Sequence, residues 1–332
     1  MLCFALKKRI LLWSLTLVLA IIVSATFTTY YFGGASRRRL IVSTTTSLYD
    51  TGLLEAIEEK FESQYPIDIY FISVGTGQAI EHAKRGDADL ILVHAPSAER
   101  TFLTDGYGVC RKIIAYNFFV IVGPQEDPAG IKGHGVKDAL TKIVKAGRDG
   151  DALWVSRGDG SGTHLKEKAL WTLAGFNWTE IRKESWYIES GTGMGKTILM
   201  ADEMEAYTLS DIGTYLKYYG DERINLKVMV SEEKALLNVY SVIAVNPKQV
   251  HDVNFEDAIT FIKFLISDEC QNLIANFKKE TYEQSLFYPT VRLLKERSNS
   301  TVAQWIKEFA YFNGTECPQE YRDCLLYTSP SP

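Results

Sequence analysis

The sequence predicts an α/β fold of two doubly wound lobes with a ligand cleft between them, preceded by an N-terminal membrane segment. Three observations lead there. Apolar strands alternate with helical periodicity along the body; two similar apolar strands, each closed by a proline, bracket a middle block; and twice a strand runs into a hydroxyl-rich turn at a helix start. Strand and helix in strict alternation predict a parallel sheet covered on both faces.

Residues 1–36 stand apart from the rest. Lys7, Lys8 and Arg9 precede an uncharged apolar run over residues 10–27, which reads as a signal peptide or an uncleaved membrane anchor. The body is therefore expected outside the cytoplasm, secreted or held to the cell membrane by this segment. No cysteine follows the apolar run closely, so a lipid anchor is not expected, and Arg37, Arg38 and Arg39 after it blur any orientation rule based on charge.

The body then opens with a strand over 40–43. Leu53, Leu54, Ile57 and Phe61 share one helical face, 67–74 is a near-continuous apolar strand, 77–85 is helical and 89–94 is the next strand. The stretches 117–124 and 238–247 resemble each other and read as the two crossings between lobes. This gives lobe I from residues 37–117 plus 238–316 and lobe II from 118–237. Helices are expected over 255–265, 269–277 and 301–312, the last amphipathic. Residues 317–332 form a tail, which from Cys324 onward has no periodic pattern and reads as non-native.

Composition narrows the partners. A chain of 332 residues, 46% hydrophobic and 23% charged, is ample for a globular core, and its length suggests two domains. The formal net charge of -5 supplies no basic field for nucleic acid. Five cysteines show neither zinc spacing nor a disulfide framework; only Cys317 and Cys324 are near enough in sequence to suggest a bridge. Asn177, Asn299 and Asn313 each begin an Asn-x-Thr sequon, in weak agreement with an exported body.

The chemistry lies in the turns. Arg157-Gly158-Asp159-Gly160-Ser161-Gly162-Thr163 follows an apolar strand and opens a helix. Glycines let a backbone approach a ligand, hydroxyls donate, an arginine adds a planar charged fork, and a helix start offers free N–H groups. A capped turn with Asp159 paired to Arg157 is the plainer alternative. Thr44-Thr45-Thr46-Ser47 follows the first strand, at the carboxyl end where open α/β sheets bind ligands. Gly75-Thr76-Gly77 makes a third such turn, equally readable as simple helix entry. Residues 190–197 nearly spell a P-loop, but Ser190 occupies the place of its first glycine, and no clear magnesium-binding strand follows. Nucleotide hydrolysis is thus the weaker reading, and no catalytic residue, metal site or cofactor is expected. His164 either touches the anion turn or lies on the surface.

Over residues 40–287 these phrases resemble the tungstate-binding solute receptors of ABC importers. The resemblance rests on Ser43-Thr-Thr-Thr-Ser-Leu-Tyr-Asp50, Val74-Gly-Thr-Gly-Gln78, Gly86-Asp-Ala-Asp-Leu-Ile-Leu-Val-His-Ala-Pro96, Gly123-Pro-Gln-Glu-Asp-Pro-Ala-Gly130 and Ser156-Arg-Gly-Asp-Gly-Ser-Gly-Thr-His164. It implies a type II periplasmic-binding-protein fold closing on tungstate or molybdate, and a monomer that delivers the ion to an ABC permease with a separate ATPase. It implies Thr45, Thr46 and Ser47 as ligands from one lobe and Arg157, Ser161, Gly162 and Thr163 from the other, with Thr76 as a further candidate. The Arg157 turn is also similar to that of phosphate receptors, so phosphate or sulfate is the alternative ligand. Phosphate carries a proton near neutral pH and wants a carboxylate acceptor, for which Asp159 is the candidate. A membrane-tethered anion sensor is disfavoured by the short stub before residue 10.

Overall fold

The computed structural model of the protein describes residues 37–322 apart from residue 298. The expected membrane segment and Cys324 lie outside the described residues. Among those described, no helix is long and apolar enough to cross a membrane.

Ten strands follow one another: β1 (Arg38–Thr45), β2 (Ile67–Val74), β3 (Leu90–Val93), β4 (Gly108–Gly123), β5 (Trp154–Ser156), β6 (Tyr187–Glu189), β7 (Tyr207–Asp211), β8 (Lys227–Val230), β9 (Leu237–Val245) and β10 (Tyr288–Pro289). They form a continuous path ordered β2-β1-β3-β9-β4-β7-β5-β6, with β8 and β10 pairing to β4. β4 divides this path in two. Its residues 108–118 pair antiparallel with β9, whereas 119–123 pair with β7 and β8. The switch falls between Phe118, opposite Leu237, and Phe119, opposite Asp211.

The parallel sheet expected from the alternating pattern holds for β2, β1 and β3 and for β6, β5 and β7. The whole is mixed, because β9 runs antiparallel to both β3 and β4. The reason is topological: one strand carries the chain out of the first sheet and its neighbour carries it back, so the two must run in opposite senses. β4 also begins nine residues before the apolar stretch that announces it, and its early part carries two register shifts.

Each sheet has its own core. Leu40, Val42, Ile57 and Phe61 are fully or almost fully buried with Phe261 and Phe264 on the helix Phe255–Leu265. Phe119, Ile121, Trp154 and Trp171 belong to the core of the second sheet. On the crossing strands, Ile306 and Ala310 of the helix Thr301–Ala310 pack against Ile113, Leu237 and Val239. Residues 317–322 are packed as well: Cys317 is buried, Tyr321 adjoins the cluster of Phe102 and Phe312, and Arg322 donates to the Cys317 carbonyl at 2.8 Å.

A buried ion pair fixes the corner after β3. Glu99 and Arg111 are both fully buried and 2.7 Å apart, and the other Glu99 oxygen accepts the Ala95 N–H at 2.9 Å, at the start of the helix Pro96–Thr104. Arg111 donates onward to the Glu316 carbonyl at 2.7 Å. Replacing Arg111 by Met strands the Glu99 carboxylate, and urea unfolding should show a loss of about 3–5 kcal/mol.

Candidate functional site

Three strand ends of the first sheet and one of the second converge. β1 ends in Thr44 and Thr45 and passes directly into a short helix at Thr46–Tyr49; β2 passes through Gly75 into the helix Thr76–Arg85; β3 ends just before His94; and β5 ends just before Arg157, with the helix Gly162–Leu173 following. Thr44 spends its hydroxyl on the sheet, donating to the Leu92 carbonyl at 2.9 Å. Thr45 and Ser47 are buried beside each other, 3.4 Å between hydroxyl oxygens, and Thr46 is half-buried.

The two sheets meet at Gly162. A β-carbon there would stand 2.9 Å from His94 Cε1 and 3.3 Å from Thr76 Oγ1, and one on Gly75 would come within 3.9 Å of the Ser161 backbone. Only a residue without a side chain permits that approach. Thr76 is fully buried, and its hydroxyl has no hydrogen-bond partner among the described residues. Leaving a buried hydroxyl unpaired costs about 1–3 kcal/mol. Nearby, Lys217 donates to the Asp50 carbonyl and ties the helix Ile212–Gly220 to the end of the first threonine turn.

Arg157 is 3% exposed. Its Nε and Nη2 both bond one oxygen of Asp159, and Nη1 lies 3.5 Å from Thr163 Oγ1. The second Asp159 oxygen accepts the Ser161 N–H at 3.0 Å. Burial pushes the Asp159 carboxyl up, but Arg157 and Ser161 outweigh it and hold it below the usual range. Asp159 is therefore a committed counter-ion rather than a free acceptor.

A second layer holds this turn in shape. Ser156 Oγ donates to Glu167 at 2.7 Å and accepts the Gly158 N–H at 3.2 Å. Glu167, 2% exposed, also receives Trp154 Nε1 at 2.9 Å, Trp171 Nε1 at 3.1 Å and the Tyr187 hydroxyl. His164 is neither at the surface nor free. It is buried behind the turn against Trp178, with Nδ1 accepting the Gly160 N–H at 2.9 Å. The near-P-loop lies behind Arg157 too: Ser190 and Gly191 donate their N–H groups to the carbonyls of Ser156 and Arg157. Thr197 Oγ1 turns back onto Ser190 Oγ at 2.8 Å and the Gly193 carbonyl at 3.1 Å, and Lys196 is exposed.

Of the residues the sequence singles out, Thr45, Ser47, Thr76, Arg157, Ser161, Gly162 and Thr163 are buried around this meeting point, with Thr46 at its edge. Two neighbours escape a reading of hydroxyl turns, His94 and Asn238. His94 Nε2 lies 3.3 Å from Ser47 Oγ and its Nδ1 lies 2.9 Å from Asn238 Oδ1. Its place directly after an apolar strand, where the other sheet positions carry their ligand-class residues, is the signal that could have found it. Beside it, a largely apolar cavity of about 1050 Å³ runs from His94 and Gly162 to Lys166, Trp305 and Phe309. Burial lowers the Lys166 amine to about 8, and it donates to the Leu237 carbonyl at 2.9 Å. Among the described residues no cluster of His, Cys, Asp and Glu could hold a metal ion.

Two mixed sheets joined by adjacent crossing strands, with hydroxyls and a buried arginine where they meet, define a binding protein of the PBP superfamily; the profile of the PBP superfamily domain matches residues 32–269, and the chain belongs to that superfamily. Within it the chain belongs with the TupA proteins. The tungstate-binding protein TupA of Peptoclostridium acidaminophilum is 40% identical over 244 residues, which cover 74% of this chain and 83% of that one. The structure of the tungstate-binding protein TupA from Desulfovibrio alaskensis G20 is 41% identical with a TM-score of 0.66, covering 76% of this chain and 98% of that one. A structure described as the tungstate ABC transporter from Geobacter sulfurreducens is also 41% identical, with a TM-score of 0.65, covering 73% of this chain and 100% of that one.

The Glu167 cluster generates a test of the scaffold. Glu167→Ala leaves four buried donors without their acceptor, and urea unfolding should show a loss of about 3 kcal/mol or more, with no comparable loss for an exposed glutamate such as Glu222.

Proposed function

We propose that this protein captures tungstate or molybdate between two lobes, outside the cytoplasm, and delivers it to an ABC permease driven by a separate ATPase. The observation that carries this reading is the Thr76 hydroxyl, buried and unpartnered beside Gly162 and between the threonine turn and the Arg157 turn. A bound oxyanion would satisfy it. Thr45, Thr46, Ser47 and Thr76 would donate from lobe I, residues 37–117 plus 238–316, and Arg157, Ser161, Gly162 and Thr163 from lobe II, residues 118–237. The TupA relatives, tungstate-binding proteins by name, support the ligand class, and residues 1–36 would export or anchor the body.

The donor set favours a proton-free dianion. Tungstate and molybdate carry no proton near neutral pH, so a pocket of donors meets all four oxygens. Phosphate needs an acceptor for its proton, and Asp159, the carboxylate of the turn, is already bonded to Arg157 and Ser161. Charge-assisted hydrogen bonds contribute about 1.5–3 kcal/mol each. Closure of the lobes about β4 and β9 would bring Arg157 onto the ion.

Calorimetric titration of the protein with tungstate, molybdate, sulfate and phosphate tests the reading. Tight one-to-one binding of tungstate or molybdate with weak phosphate binding is expected; tight phosphate binding with none for tungstate would overturn it. Arg157→Ala should weaken tungstate binding about 10- to 100-fold. Gly162→Ala, whose methyl would press on His94 and Thr76, should weaken it about tenfold without unfolding the protein.

A further inference from the structure

A directed chain of hydrogen bonds runs from the crossing strands into the threonine turn. It starts at a backbone carbonyl, which can only accept: Asn117 Nδ2 on β4 donates to the Leu286 carbonyl at 3.3 Å. The Asn117 oxygen must then accept, and it takes Asn238 Nδ2 from β9 at 2.9 Å; that same amide nitrogen also donates to the Tyr240 hydroxyl at 2.8 Å. Asn238 Oδ1 in turn faces His94 Nδ1 at 2.9 Å, so Nδ1 carries the hydrogen. Nε2 is left with its lone pair, 3.3 Å from Ser47 Oγ. The direction of each link as far as His94 Nδ1 follows from the first; the last follows from the imidazole being neutral, and at 3.3 Å it competes with the donation of the same Ser47 hydroxyl to Thr45 Oγ1 at 3.4 Å.

We propose that His94 is a positioning residue of the oxyanion site, a neutral acceptor that takes the Ser47 hydroxyl proton and thereby locks the threonine turn to both crossing strands. The inference rests on the oxyanion reading for its consequence, though not for its geometry. With its hydroxyl held by His94, Ser47 offers the ion its backbone N–H, and the charge-bearing donors become Arg157 and the helix starts. The groups around His94 keep it neutral. Burial is the main cause of its low pKa, about 4, which the Asn238 bond moderates, and Arg157 and Lys166 from the second sheet lower it further. From β9 the Tyr240 ring lies 5.1 Å away, with Asp211 acting on Tyr240 behind it, and from β4 the Phe119 ring lies 6.2 Å away.

The tautomer can be read without any ligand. Nitrogen-15 spectra of the histidine rings in the whole protein should show His94 protonated at Nδ1 and bare at Nε2, unchanged between about pH 6 and pH 7.5. A hydrogen on Nε2, or an imidazolium, would overturn the inference whether or not any oxyanion binds. Tungstate titrations then test the consequence. His94→Gln should weaken binding about tenfold while the protein stays folded. In Asn238→Asp the new carboxylate stabilises a charged imidazolium, so His94 protonates as pH falls and its Nε2–H faces the anion site. Tungstate affinity of that variant should rise about five- to tenfold from pH 7.5 to pH 6, and the double variant Asn238→Asp/His94→Gln should be flat. The native protein should change far less in this window, since Lys166, lowered to about 8, stays mostly charged up to pH 7.5. A flat profile in Asn238→Asp, or native affinity in His94→Gln, would overturn the inference. Absence of tungstate binding in the native protein with the expected tautomer would instead sink the oxyanion reading alone.

Discussion

A guanidinium buried where two sheets meet is the constraint to which the rest of the structure answers. Taking a cation out of water costs several kcal/mol unless it is paired and hydrogen-bonded. At Arg157 one carboxylate oxygen two residues away receives both Nε and Nη2, and the other oxygen bonds the Ser161 N–H, so the pair is closed within its own turn. This leaves Nη1 directed along the helix start toward Thr163. The turn can make that loop only because Gly158 and Gly160 take positive φ values of 64° and 72°, and because Ser156 and Glu167 hold its root. The aromatic donors on Glu167 thus serve the same end as Asp159, one layer further from the Arg157 guanidinium.

The crossing strands carry the second constraint. A chain that leaves one sheet and returns beside its own exit makes an antiparallel pair, and β4 and β9 give two covalent links side by side, the arrangement of a hinge. Here the pair is also covered. The helix Thr301–Ala310 sits on Ile113, Leu237 and Val239, Glu308 pairs with Lys234 just before β9, and Lys166 of the second sheet's helix lies 4.5 Å over the Phe309 ring. The covering helix lies beyond residues 32–269, the span of the superfamily domain. Any rotation about the crossings must therefore move against a packed helix as well as against the strands' own twist.

Much of this was legible in the sequence, and the reasons for the gaps are physical. The strand Ile67–Val74 and the helix Phe255–Leu265 show their periods openly because each buries a whole face. The start of β4 does not, because Arg111 and Lys112 interrupt its apolar run, and the burial of Arg111 depends on Glu99 and on Glu316, 205 residues away. The hydroxyl and glycine turns were legible because their chemistry is local: donors, glycines and a helix start lie within seven residues. His94 was not, because its partner Asn238 lies 144 residues along the chain and joins it only after the chain has left the first sheet and come back. His164 shows the opposite case, a residue adjacent in sequence to the turn yet turned behind it by the helix it helps to begin.

Thr44 and Thr76 show why residue type alone does not define a ligand. Both are fully buried threonines near strand ends of the same sheet. Thr44 lies within β1 and its hydroxyl reaches across to the carbonyl of Leu92 on β3, a bond the sheet itself supplies. Thr76 is one residue beyond its own N-cap, Gly75, on the helix that follows β2, and Gly162 of the second sheet's turn comes close to its hydroxyl. An unpaired hydroxyl at that place costs about what a hydrogen bond gains, and a polar group from outside the chain would relieve it. The same absence of a side chain at Gly162 that allows the sheets to meet keeps that hydroxyl uncovered. A side chain at 162 would therefore press at once on the approach of the two sheets and on the Thr76 hydroxyl.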